Sequence, residues 1–277
     1  MNVHTTDADA GERDARVLVA REFAGSGAYA AFSTRLGGVS PAPYESLNLG
    51  SKVGDAASNV ERNRELFWVS TGLDGRLAVR PEQVHSNVVA IVSRRDAGRF
   101  APGADALVTR DPGLPLVAYF ADCTPVFVFD PATRSGGIAH AGWRGTVKGI
   151  ASRVVETMAA EFGARPSDCL AVIGPSIGPC CYDVGEDVAG QVAGAFPWAS
   201  SVLQREPAGP RGPVWRFDLW ETNRRLLLDA GLNEANVSCW RLCTASRGDL
   251  FFSYRRDGPR SGRMAGVLAI REPEQGA

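Results

Sequence analysis

The chain has 277 residues, 44% of them hydrophobic, with 30 Lys and Arg against 31 Asp and Glu. A chain of this length can bury about three quarters of the surface its unfolded form exposes, enough for one large core. The formal charge of -1 excludes a nucleic-acid binder driven by electrostatics, which normally carries a basic excess. The most apolar stretch, Leu114 to Phe129, is interrupted by Pro115, Asp122 and Pro125, short of the ~20 apolar residues of a membrane helix. No membrane partner is expected. The N-terminus lacks the basic start and apolar core of a signal peptide, so a cytoplasmic location is expected. In that compartment the six cysteines read as free thiols or metal ligands rather than disulfides.

Residues 1–16 are polar and without periodicity and read as a disordered tail. One domain over 17–272 and a short C-terminal tail at 273–277 complete the division. Apolar runs bounded by turn residues predict strands at Ala28–Ser33, Val88–Ser93, Ala106–Thr109, Leu116–Phe120, Val126–Asp130, Gly137–His140, Leu170–Ile173 and Met264–Ile270. Several are apolar almost throughout, as strands covered on both faces are. A helix is predicted from Asn59 to Gly72. Another runs from Gly145 to Phe162, where Ile150, Val154, Val155 and Met158 fall on one stripe. A third opens at Asp218, with Glu221 as capping-box partner, and stops at Gly231. The Pro- and Gly-rich patches 205–213 and 257–262 read as surface loops. Strands mixed with helices indicate an α/β or α+β layered sheet.

Histidine is scarce, and that concentrates the chemistry. With His4 in the tail, the domain holds only His85 and His140. His85 follows Pro81-Glu82-Gln83-Val84, and His140 precedes Ala141-Gly142-Trp143-Arg144-Gly145. Between them Cys123 stands in Ala121-Asp122-Cys123-Thr124-Pro125, at the junction of two apolar runs. Strand ends of this kind are where α/β folds place their sites. Two imidazoles and a thiolate make a three-ligand zinc set, leaving one position open as catalytic zinc sites do. The spacing is not local, with 38 residues between His85 and Cys123 and 17 between Cys123 and His140. Hydrogen-bonded core histidines and a packed cysteine remain the competing reading at this point.

Two arginines stand beside glycines. Arg35 enters the loop Leu36-Gly37-Gly38, and Arg144 leads with Gly145 into a helix start, where backbone N–H groups favour an anion. Ordinary surface or ion-paired arginines are the bland alternative. Cys180 and Cys181 are adjacent, and in an extended segment would point to opposite faces, so a shared metal is not expected. Cys169, Cys239 and Cys243 are expected to pack.

Taken in order, FSTRLGGVS (32–40), SLNLG (46–50), QVHS (83–86), ADALVT (104–109), ADCTPV (121–126), HAGWRGT (140–146), IGPSIGPCCYDVG (173–185) and FFSYRRD (251–257) resemble one family. It is the multicopper polyphenol oxidoreductase or laccase-domain family, which includes bacterial purine nucleoside phosphorylases and a peptidoglycan editing factor. The resemblance implies a single layered α/β/α domain with a mixed central sheet and a cleft, and a monomer. It implies zinc on His85, Cys123 and His140. It also implies cleavage of purine nucleosides (adenosine, inosine, guanosine, methylthioadenosine) with phosphate as co-substrate, and deamination of adenosine in several members. Arg35, Asn48 of SLNLG, Arg144 and Gly145 are the residues expected at the phosphate, with Arg35, Arg144 and the three metal ligands as the catalytic set. The chain departs from the family pattern at 1–16 and 205–213.

Three rivals stand beside this expectation. A copper oxidoreductase is disfavoured by counting, since Met1, Met158 and Met264 lie outside the ligand motifs and a trinuclear centre needs many more histidines. A metal-free hydrolase would use Cys123 as nucleophile and His140 as base. A binding module with structural zinc would need a fourth ligand, for which Cys180 or Cys181 is the candidate. The editing-factor relationship suggests a further substrate, a cell-wall precursor amide.

Overall fold

The computed structural model describes residues 15–209 and 212–272. Strands Ala28–Ser33, Ala106–Thr109, Leu116–Phe120, Leu170–Ile173 and Met264–Ile270 form with the bounds their apolar runs predict. They belong to two sheets. An antiparallel sheet orders Val17–Val19, Ala28–Ser33, Met264–Ile270 and Leu116–Phe120. A mixed sheet orders Val237–Cys239, Leu170–Ile173, Thr124–Asp130, Ser135–Ala141, Ala106–Thr109 and Val89–Ile91, with parallel pairs at its two ends.

Side-chain alternation shows how the sheets stack. Phe127 and Phe129 pack with Phe32, Ala118, Phe120 and Leu268 between the sheets, whereas Val126 and Val128 face the helices Ile150–Phe162 and Leu219–Asp229. On the antiparallel sheet, Ala31, Val117 and Val267 turn outward against Phe67 of the helix Ala57–Thr71. The α/β class and the mixed sheet hold, and the layers run helix, sheet, sheet, helix. Near-continuous apolar strands are what a sheet buried on both faces requires. Truncating Phe127 or Phe129, both fully buried, would cost about 3–5 kcal/mol.

Other expectations change. The helix predicted from Gly145 to Phe162 is two, Trp143–Val147 and Ile150–Phe162, because Gly149 takes φ +75° between them. At Asp218 only half of a capping box forms: its carboxylate accepts from the Glu221 N–H at 3.0 Å, but the Glu221 carboxylate turns to Arg224 and Arg225. The stretch read as a loop at 205–213 belongs to a hairpin instead, Leu203–Gly209 against Gly212–Phe217, with 210–211 outside the described residues. Of the predicted tail, residues 1–14 lie outside the described residues, but Ala15 is buried and Arg16 pairs with Leu36 and Thr34 through its backbone. The fold therefore begins at least two residues before the expected boundary. The C-terminal tail at 273–277 is also outside the described residues.

Candidate active site

The chain passes from the antiparallel sheet to the mixed one through Ala121–Cys123, and the site forms at that crossing. His140 lies next to last in Ser135–Ala141, opposite Pro125. His85 comes from the loop between Arg80–Pro81 and Val89–Ile91. The donor atoms of His85, Cys123 and His140 fall within 4.8 Å of one another, with His85 Nε2 3.8 Å from Cys123 Sγ. Among the described residues no fourth His, Cys, Asp or Glu joins them.

Asp105 organises the cluster, and sequence reasoning gave it no role. It is fully buried. Its Oδ1 accepts from His140 Nδ1 at 2.8 Å and from the His85 backbone N–H at 3.0 Å. Its Oδ2 accepts from the N–H groups of Val84 (3.0 Å) and Ser86 (2.7 Å) and from the Ser86 hydroxyl (2.9 Å). One carboxylate thus sets two of the three donors. With Nδ1 committed, Nε2 is the free nitrogen of His140, the arrangement that orients metal-ligating imidazoles. Burial alone would raise the Asp105 carboxyl, but the His140 and Ser86 donors bring it down to about 2.

The ligand loops are held in costly shapes. Gln83, His85 and Asp122 have φ of 64°, 62° and 85°, a region that costs a non-glycine residue on the order of 1–3 kcal/mol. Specific bonds hold them there. The Gln83 amide pairs both ways with the Tyr119 backbone, at 2.7 and 2.9 Å. The Asp122 carboxylate accepts from Thr244 Oγ1 at 2.7 Å and the Arg255 N–H at 2.6 Å. Gly142 is required by close approach, since a Cβ there would lie 2.8 Å from His85 Cδ2 and 3.0 Å from Cys123 Sγ.

Burial disfavours a Cys123 thiolate, yet the His140 and His85 imidazoles outweigh it and lower the thiol to about 6. The same pairing, with Asp105 and against burial, raises His140 to about 9. Two imidazole nitrogens and a readily formed thiolate suit a borderline-soft cation such as zinc. Neither Met158 nor Met264 lines the cleft around the donors, and Met264 Sδ accepts from the Phe252 N–H, so neither supplies the axial thioether of a blue-copper centre.

Around the donors opens a cleft of about 600 Å³. Lys52, Arg64, Arg144, Arg255 and Arg263 line it, against only two carboxylates, Glu82 and Asp122. Aromatic rings carry the cations: the Arg144 guanidinium lies 4.3 Å from the Trp143 ring centre, Arg64 5.4 Å from Tyr119 and Arg255 5.1 Å from Tyr182. Arg64 donates to the Leu49 carbonyl and Arg255 to that of Asp183. Arg144 is exposed and, among the described residues, has no carboxylate partner.

Of the expected anion residues, only Arg144 lines this cleft. Arg35 does not, because its guanidinium donates to the carbonyls of Glu45 (2.6 Å) and Gly248 (3.0 Å) and covers Phe252. Asn48 is fully buried behind the lining, where its Oδ1 accepts from the N–H groups of Gly50 and Arg263. Gly145 is buried too, and a Cβ there would meet the Ser86 carbonyl at 2.8 Å. Cys169 and Cys243 are buried in the core as expected, and Cys239 packs half-buried against it. Cys180 and Cys181 do not point apart: a turn closed by the Cys181 N–H and Gly178 carbonyl leaves their sulfurs 3.7 Å from each other.

The sequence model of the family described as multi-copper polyphenol oxidoreductase laccase matches residues 29–271. The chain belongs to this family. Within it, the chain is 38% identical over 250 residues to a Bacillus subtilis protein named purine nucleoside phosphorylase YlmD, covering 88% of each. It is 32% identical over 248 residues to human purine nucleoside phosphorylase LACC1, covering 87% of this chain and 55% of that protein. The crystal structure of YlmD from Geobacillus stearothermophilus superimposes with a TM-score of 0.86 at 36% identity, over 95% of this chain and 98% of that one. The family resemblance read from the motifs therefore holds across the fold.

Proposed function

We propose that this laccase-family chain is a zinc-dependent purine nucleoside phosphorylase. It converts adenosine, inosine, guanosine and methylthioadenosine, with phosphate, to the free base and (methylthio)ribose 1-phosphate. One observation carries the reading: a single cleft gathers the His85–Cys123–His140 donors, five cations, two carboxylates and five aromatic rings. The relatives named purine nucleoside phosphorylase support it.

In the reaction a phosphate oxygen bonds to C1′ while the C1′–N bond to the base breaks, and its electron pair leaves with the base. A proton brought by phosphate balances the departing base. Among the described residues Arg144 has no competing carboxylate, and its planar fork fits phosphate, so we assign it the phosphate. Arg64, Arg255 and Arg263 are held in place by backbone carbonyls before substrate arrives. Fixed cations of this kind stabilise developing negative charge without reorganising. Tyr119, Trp143, Tyr182 and Tyr254 offer faces for a purine ring. Asp105 keeps the His140 imidazole in one tautomer. Zinc on the three donors would supply Lewis-acid chemistry at that part of the cleft.

Adenosine deamination is proposed as a side activity of the same cleft, and the working form as a cytoplasmic monomer. Among the described residues no helix is long and apolar enough to cross a membrane. Purified protein given adenosine should release adenine and ribose 1-phosphate only when phosphate is supplied. Base release independent of phosphate would end the phosphorylase reading, and inosine formed without phosphate measures the side activity.

A further inference from the structure

We propose that Cys180, Cys181 and Cys243 form a second metal site, a three-thiolate seat for a soft, thiophilic cation. Their sulfurs lie within 4.8 Å of one another, and the set shares no residue with the His85–Cys123–His140 cluster. Two separate segments build it. The turn Gly178–Cys181 swings the adjacent thiols together, to 3.7 Å. The segment carrying Cys243 is locked beside that turn, with Ser176 N–H donating to the Leu242 carbonyl and Thr244 N–H to that of Ser176. The Gly178 N–H points at Cys243 Sγ at 3.3 Å, a donor that favours a thiolate there.

The geometry fits one shared ion. Metal–sulfur bonds of about 2.3 Å place tetrahedral ligands roughly 3.8 Å apart, the separation Cys180 and Cys181 already have. A disulfide would need the sulfurs at about 2.05 Å. Packing accounts for Cys243, which is buried in the core, and in part for Cys181, which packs against that core, but not for the exposed Cys180 beside them. With three sulfurs and, among the described residues, no His, Asp or Glu beside them, the set selects Cu(I) or Zn(II) over harder cations. The seat also abuts the cleft wall, because the Cys181 carbonyl accepts from Arg255 and the next residue, Tyr182, lines the cleft.

The test is stoichiometry on the full, reduced chain, with Cu(I) under a competing chelator in one arm and Zn(II) in the other. Wild type should take two equivalents in at least one arm, and that arm identifies the ion. Cys180→Ser/Cys181→Ser should take one, with an unchanged circular dichroism spectrum. Cys123→Ser should also lose one, from the other site. In Co(II)-loaded protein the double variant should lose most of the sulfur-to-metal charge-transfer absorbance. Equal equivalents in wild type and the double variant, in both arms, would overturn the proposal. So would a reducible disulfide among these cysteines with no second equivalent after reduction. Failure of adenosine phosphorolysis with two equivalents bound would strike only the enzymatic reading.

Discussion

The metal-donor cluster and the cationic lining share one cleft but are built on opposite plans. The donors hang on buried, saturated hydrogen bonding: Asp105 is inaccessible and takes five of them, and Gly142 leaves no room for a methyl group. The cations sit half-buried or exposed, with the guanidinium groups of Arg64, Arg144 and Arg255 over aromatic rings and those of Arg64, Arg255 and Arg263 donating to backbone carbonyls. The difference follows from what each must do. Metal ligation tolerates shifts of only about 0.2 Å. Attraction of an anion falls off slowly with distance, so several cations at different distances can share it, each without the precision a metal ligand needs.

The contrast predicts unequal sensitivity to mutation. Asp105→Ala should produce the largest effect, because it strands five donors, frees the His140 imidazole and releases the loop that carries His85. Metal affinity should fall by about 10–100-fold or more, as loss of an outer-shell carboxylate does. Stability should fall by about 3–5 kcal/mol in denaturant unfolding, as when a buried pair loses one partner. Acid should act on the same residue. Its folded carboxyl lies near 2 against an ordinary 3.8, so its stabilisation is present above about pH 4 and disappears as pH falls towards 2. Wild-type metal retention in Asp105→Ala would break the comparison.

Gly142→Ala isolates the steric half of that plan. The added methyl presses on His85 and Cys123 without removing a hydrogen bond, so the protein should fold and bind metal about 10-fold or more weakly, a difference of ~1.4 kcal/mol. Iodoacetamide gives a second readout. In metal-loaded wild type Cys123 should resist alkylation, and chelation should expose a thiolate that reacts fast, given its lowered pKa. Fast labelling before chelation would favour Cys123 as a free nucleophile.

What the sequence revealed tracks the same divide. His85 and His140 stood out because the chain has so few histidines, and Cys123 because it breaks an apolar run at a proline-flanked turn. The strands were legible for a related reason, since burial on both faces writes an unbroken apolar run. Asp105 was not legible: one aspartate beside Ala106–Thr109 looks like any strand-end acid until His140 and the 84–86 loop close on it. Arg64, Arg255 and Arg263 come from the helix Ala57–Thr71, the short helix Tyr254–Asp257 and the entry to Met264–Ile270, and only tertiary folding makes them neighbours. Local glycine context singled out Arg35 as readily as Arg144, because it cannot report where a guanidinium's donors end up. The adjacent cysteines failed for a similar reason, as the extended-strand rule does not apply inside a turn.

Arg144→Ala tests the tolerant half. Removing one of five cations should raise the KM for phosphate about 10-fold, ~1.4 kcal/mol, and leave metal content intact. Arg144→Lys should recover part of the loss, since charge survives but the planar fork does not. Higher ionic strength should shrink the difference between wild type and Arg144→Ala, because the cleft is open to screening ions. A fall in metal content would mean that the two regions are mechanically one.

Arg35→Ala should give the smallest effect on catalysis, and it decides between two roles for a residue in a glycine-flanked loop. If Arg35 bound phosphate, its loss would resemble that of Arg144. The structure instead commits Nε to the Glu45 carbonyl and Nη1 to that of Gly248, tying the loop after Ala28–Ser33 to the segment before Phe251. Bonds from a charged group contribute about 1.5–3 kcal/mol, and the exposure of Glu45 places this pair towards the lower end. Arg35→Ala should therefore lose about 1–2 kcal/mol in urea unfolding, by the same reasoning. The KM for phosphate, measured at a temperature where the variant is fully folded, should stay within about twofold of wild type, well short of the tenfold that ~1.4 kcal/mol represents. A KM shift as large as that of Arg144→Ala, with stability unchanged, would move Arg35 into the substrate-binding set.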